Sequence, residues 1–129
     1  MTASSIQDNV RSVLATALAS VAGNVYNHVP EAIIPPAVVI IPDSPYLEMQ
    51  LINKSSIKCT INLTISACVA YNSNPGSLDN LEKLILSILA VIPAGYEIGV
   101  VERPTVTQVG ATNLLVADIR VSTIYTQTN

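Results

Sequence analysis

The stretch Ile57-Lys58-Cys59-Thr60-Ile61-Asn62-Leu63-Thr64-Ile65-Ser66-Ala67-Cys68-Val69-Ala70-Tyr71 decides the fold. Its odd positions are apolar throughout, and Lys58, Thr60, Asn62, Thr64 and Ser66 fall between them. A period of two places successive side chains on opposite faces of an extended chain, so this is one long strand with a core face and a polar face. Cys68 and Ala70 soften the polar face near its end. A strand of this kind belongs to an antiparallel sheet covered on one side. Cys59 and Cys68 then lie on opposite faces, nine residues or roughly 30 Å apart. That separation forbids a disulfide.

On the N-terminal side, Ile6, Val10, Val13, Leu14, Ala17, Leu18 and Val21 recur at three- and four-residue intervals, which predicts a helix from about Ser5 to Ala22. Ser4 or Ser5 caps it, Gln7 or Asp8 reaches back, Gly23 ends it, and Arg11, Ser12 and Thr16 face away from the core. The prolines of Val29 to Pro36 make the next segment a fixed connector. Ala37 to Ile41 is a short apolar strand ended by Pro42, and Asp43-Ser44-Pro45 turns the chain into a second extended run, Tyr46 to Ile52. Asn53 to Ser56 turns it again.

On the C-terminal side, Ser77 caps a second helix that runs to about Ile92, where Pro93 and Gly95 stop it. Leu84 to Ile92 is apolar almost all the way round, which predicts burial on more than one side. Ile98 to Val109 and Leu114 to Thr126 form a closing hairpin, with Gly99 at a bulge and Pro104 at a bulge or edge. Leu115, Ala117, Ile119, Val121 and Tyr125 form the core face of the last strand, with Asp118, Arg120 and Ser122 on the other. The expected order is α-β-β-β-α-β-β: an α+β fold, with a mixed, mostly antiparallel sheet and two helices packed on it.

The 129 residues suit a single domain spanning 1–129. Half of the chain is hydrophobic, the reverse of a disordered composition. Only 12% is charged, against about 25% in an ordinary soluble domain, so part of the surface is expected to be covered by other protein. The net charge is −3, and the six basic residues, Arg11, Lys54, Lys58, Lys83, Arg103 and Arg120, are scattered, which disfavours a nucleic-acid groove. Leu84 to Ile92 is the longest apolar candidate, and a membrane span needs about 20 such residues. Asp8 and Arg11 interrupt the first apolar stretch and no basic residue precedes it, so it does not read as a signal peptide. The expectation is a protein that is intracellular when made and does not enter a membrane.

Catalytic chemistry has little to draw on. His28 is the only histidine, and it falls in the connector. One histidine and two cysteines on opposite strand faces do not make a metal site. The five glycines are isolated, so there is no phosphate loop. Asp118 and Arg120, about 7 Å apart on one strand face, read as a surface ion pair or subunit contact rather than a site. The chain is therefore expected to be a non-enzyme without cofactor or metal.

The ordered landmarks resemble the small tail terminator or tail completion proteins of long-tailed phages. These landmarks are the opening amphipathic helix, Val29-Pro30-Glu31-Ala32-Ile33 leading into Pro35-Pro36-Ala37-Val38-Val39-Ile40, and Pro42-Asp43-Ser44-Pro45-Tyr46-Leu47. The long alternating strand, the helix Leu78-Asp79-Asn80-Leu81-Glu82-Lys83-Leu84, and a hairpin holding Arg103-Pro104 and Leu114-Leu115-Val116-Ala117-Asp118 complete the set. The resemblance implies a virion structural protein made in the host cytoplasm and placed at the head-proximal end of the tail. There a homohexameric ring caps the finished tube, stops its polymerisation and offers a surface to the head-side connector protein. DNA passes through the bore without specific binding. A ring needs two different patches per subunit that fit each other. The face of Thr60, Asn62, Thr64 and Ser66 and that of Asp118 and Arg120 are the expected contacts. Tyr46 and Tyr71 are among the expected anchors, because the chain has no Phe or Trp. The alternative is a small-ligand-binding or regulatory α+β domain, with ligand held between the sheet and the second helix.

Overall fold

The long alternating stretch is the central strand of a six-stranded sheet. The structure, a computed structural model, describes residues 5–21, 24–26, 35–72, 75–109 and 112–128. The central strand, β3 (Ser56–Ala70), pairs antiparallel with β2 (Ala37–Ile52) on one side and β6 (Thr112–Thr128) on the other. β1 (Asn24–Tyr26) runs parallel to β2 outside it. β4 (Tyr96–Val101) and β5 (Thr105–Val109) lie end to end along the outer edge of β6, both antiparallel to it. The sheet is thus mixed and mostly antiparallel.

Both helices cover the same face. A π-helical turn, Gln7–Arg11, leads into α1 (Ser12–Leu18), and α2 (Pro75–Val91) follows β3. Val10, Leu14 and Leu18 from the first segment and Leu81, Leu84, Ile85 and Ile88 from α2 join one buried cluster. The odd positions of β3 from Cys59 to Val69, together with Leu115, Ala117, Ile119 and Val121 of β6, supply its floor. Burying each large side chain contributes roughly 1.5–3 kcal/mol. A one-residue slip of β3 would turn Ile61, Leu63 and Ile65, all fully buried, to the other face, so the alternation also fixes the register. The fold is α+β, as its pattern implies. A smaller cluster of Ala37, Val39, Cys68 and Leu114 accounts for the apolar residue at Cys68 on the opposite face.

Several boundaries differ from the sequence reading, each for a local reason. The first helix is not one regular α-helix: its π turn inserts a residue and rotates what precedes it, and Val13, expected in the apolar stripe, is 46% exposed. The turn is tied to the sheet by the Tyr96 hydroxyl, which donates to the Val10 carbonyl at 2.9 Å, and by Asn9 Nδ2, which donates to Tyr125 Oη at 3.0 Å. Arg11, expected to face outward, is half-buried with its Nε shielded. Ala37–Ile41 and Tyr46–Ile52 are parts of one strand, because pairing with β3 resumes after the Asp43-Ser44-Pro45 turn. Pro42 faces Leu63 and Leu47 faces Ile61, so Asp43 to Tyr46 loop out opposite Asn62 alone. The expected Ile98–Val109 strand is split at Glu102-Arg103-Pro104, and its missing donor puts Pro104 on the edge. The register of β4 also shifts between Ile98 and Val101, the bulge expected at Gly99.

α2 starts at Pro75, whose fixed φ suits a first turn. Ser77 therefore does not cap it. It sits inside the first turn, 3% exposed, and its Oγ accepts the Asn72 N–H at 3.0 Å. The second half of α2 is buried on one side only within the chain, since Leu86 is 66% exposed. His28, the connector from residue 27 to 34, Gly23, Gly110, Ser4 and the side chains of Gln7 and Asp8 lie outside the described residues. β1 was not expected, as three residues carry no periodicity.

Candidate functional site

The sheet face opposite the helices gathers most of the residues expected to make contacts, and it is more self-engaged than its sequence suggests. Even positions of β3 and β6 share this face, with Ser66 level with Asp118, Thr64 with Arg120 and Asn62 with Ser122. Ser66 Oγ donates to Asp118 Oδ1 at 2.6 Å. Thr60 Oγ1 accepts from Gln50 Nε2 at 2.5 Å. Asn62 Nδ2 donates to the Pro45 carbonyl at 2.9 Å and to Glu48 Oε1 at 2.7 Å. It braces the looped-out segment that stands opposite it.

Arg120 does not pair with Asp118, its neighbour along the strand. Its Nε lies 3.2 Å from Glu102 Oε1 and 3.9 Å from Asp43 Oδ2. Asp43 belongs to β2 and Arg120 to β6, and β3 runs between them. Strands are spaced about 4.8 Å apart, so the Arg120 and Asp43 side chains together span β3 on this face, where Thr64 is the cross-strand partner of Arg120. Thr64, expected as a contact, is only 7% exposed. The Arg120–Glu102 pair is half-exposed, which limits it to about 0.2–1 kcal/mol, while Asp43 is the more shielded and more distant partner. Two shallow depressions flank Arg120: one of about 250 Å³ beside Asp43, Glu48, Asn62 and Ser122, the other of about 520 Å³ beside Glu102, Arg103 and Asp118.

Cys68 closes the far end of this face. It is 1% exposed, and burial, aided by the negative charge of Asp118, pushes its thiol up to about 11. Cys59, in the main core, is also raised by burial. Both thiols are free, as the distance between them requires. Among the described residues no group of three or more His, Cys, Asp or Glu is placed to hold a metal ion, and no helix is long and apolar enough to cross a membrane.

Tyr46 and Tyr71 are not brought to the Arg120 face. Both are half-buried and pack against the main core cluster. Between the sheet and α2, where the alternative reading places a ligand, Leu81, Leu84, Ile85 and Ile88 fill the interior. Two depressions lie at its margin: one of about 260 Å³ beside Pro36, Val69, Asn80 and Leu84, below the usual range of roughly 300–1,000 Å³ for ligand pockets, and one of about 370 Å³ beside Tyr71, Ser77, Leu78 and Leu115, within that range but shallow. Glu48, Gln50 and Glu102 belong to the polar face and were not singled out from sequence. Their places depend on two bulges in β2, between Pro42 and Leu47 and between Met49 and Leu51, and on the break after β4. No protein-family model matches the chain, and no curated protein matches it either.

Proposed function

We propose that the chain is a tail-terminator-like structural protein: copies close into a ring, a hexamer by the resemblance, that caps a finished tail tube, ends its polymerisation and offers a surface for head joining. The observation that carries this reading is a sheet covered by helices on one face only, with two open edges of different sequence. Among the described residues β2 has no strand outside it beyond Val39, and β4 has none outside it at all. Unlike edges suit a heterologous contact, and a heterologous contact that closes makes a ring. Exposed apolar side chains border both edges: Met49, Leu51 and Ile52 on β2, and Ile98, Val100 and Val101 on β4, each between 42% and 67% exposed. Clusters of this kind on a protein with few charges favour a covered surface.

The helix-free face holds Asp43, Glu48, Glu97, Glu102 and Asp118 against Lys58, Arg103 and Arg120. Turned toward a bore, that excess of acid repels phosphate and lets DNA slide without binding. The exposed Leu78 and Leu86 on α2 are then free to meet the tube or the connector. The test is to add purified protein to growing tail tubes and image their ends. Tubes that stop growing and carry a ring at one end are the expected result. A monomer or dimer that leaves elongation unchanged and binds a metabolite refutes the proposal in favour of the ligand-binding alternative.

A further inference from the structure

We infer that in the ring proposed above, and resting on that reading, the β2–β3 hairpin of one copy docks on edge strand β4 of the next, and that charge favours this head-to-tail pairing. The hairpin end, from Met49 to Lys58, is a tongue of exposed apolar residues with two lysines and no acid. Its tip is held in shape by Asn53, whose Oδ1 accepts the Ser55 N–H, the Ser55 hydroxyl and the Ser56 N–H, each at 2.8 Å. β4 presents Ile98, Val100 and Val101 with Glu97 at its start. Among the described residues, Lys54, Lys58 and Glu97 belong to no ion pair, as is also true of Arg11, Glu48, Glu82, Arg103 and Asp118, so their charges are open to a partner.

Two tongues meeting at their tips would set lysines against lysines, whereas two β4 edges, antiparallel to each other, would set the Glu97 end of each against the Val101 end of the other and gain no opposite charge. Neither isologous pairing brings the lysines of the tongue to Glu97, and tip-to-tip contact adds like-charge repulsion. The mixed pairing joins apolar to apolar and opposite charge to opposite charge. It is also geometrically consistent. Lys58 is level with Thr126 and Glu97 with Ser122, and these β6 partners lie on one face of the sheet. Sheets laid edge to edge therefore keep the two charges on the same side. Four residues separate their levels, so the contact needs a stagger of about 13 Å between neighbours. A ring closed by rotation accommodates such a stagger when its strands tilt from the ring axis.

The experiment uses the full chain as K54E/K58E, as E97K, and as an equimolar mixture of the two, read by native mass spectrometry with circular dichroism to confirm folding. Each variant alone is expected to lose the ring species, because like charges then meet at every joint. The mixture is expected to recover rings with an even number of subunits, alternating between the two chains. A variant that keeps the wild-type ring distribution overturns the contact, as does a mixture of folded variants that stays monomeric. Tube capping is scored in parallel. Wild type that rings and caps while E97K also rings overturns this contact alone; wild type that neither rings nor caps overturns the ring reading and the contact with it.

Discussion

Stability should fall at alkaline pH through one thiol, and the fall can be isolated. Cys68 is buried between Ala37 and Val116 on the neighbouring strands, and its thiol is raised from 9.0 to about 11, first by burial and then by Asp118. A group whose folded pKa lies above its unfolded one contributes fully below the unfolded value and loses that contribution as pH climbs through the folded value. The window is therefore pH 9 to 11. Linkage over that interval gives a loss of about 1.4 kcal/mol at pH 10 and an upper limit of about 2.7 kcal/mol above pH 11. The comparison is with Cys68→Ala, which removes the ionisable group and costs about 1 kcal/mol in packing at neutral pH. Urea unfolding of both proteins at half-unit steps from pH 7 to 10.5 is the assay. Tyr96 and Cys59 are also raised by burial, but both proteins carry them, so their effect cancels in the difference. Wild type should be the more stable at pH 7, and the two curves should meet near pH 10. A gap that stays constant across the range would refute the argument.

Asn62→Ala removes both hydrogen bonds to the looped-out segment of β2; at a partly exposed position this should cost about 1–2 kcal/mol in chemical denaturation. Its neighbour Leu63→Ala, fully buried on the opposite face, should cost about 2–5 kcal/mol in the same assay, and an inverted order would mean the faces have been misassigned. Gly95 has φ +92° and open space, with nothing within 4 Å, where a Cβ would stand, so Gly95→Ala should lower thermal stability by about 1–2 kcal/mol through backbone strain alone. Gly99 has no such φ, and an added Cβ would lie 3.4 Å from the Arg120 carbonyl, so Gly99→Ala should be the milder change.

Where a residue's environment is set by its own strand, the sequence was sufficient. The alternation of Ile57 to Tyr71 predicted the central strand, its buried face and the isolation of the two cysteines. The face of β6 followed from Leu115, Ala117, Ile119 and Val121, all at most 8% exposed. What could not be read was set across strands. Asp118 and Arg120 look like a pair because they are two apart, yet their partners are Ser66, Glu102 and Asp43. The turn at Asp43-Ser44-Pro45 was legible, but not that pairing resumes beyond it and makes Asn62 its brace. Periodicity likewise carried no trace of the π turn, whose ties to the sheet come from Tyr96 and from Asn9 with Tyr125.

The edges add a physical reason for closure rather than open-ended growth. A long, flat, apolar edge strand is a template for indefinite pairing. Here the outer edge of β2 carries Pro42 and Pro45, which have no N–H to offer, and a second bulge beyond Met49. On the other side β4 bulges at Gly99, and Pro104 interrupts the line before β5. The two edges are thus apolar enough to be covered but too irregular to extend a continuous ladder. Affinity must then come mainly from side chains in one defined register, the condition under which a heterologous contact has a fixed rotation and can close. Under the capping role proposed above, such edges matter particularly, because a regular one would let copies of the chain add to one another without end.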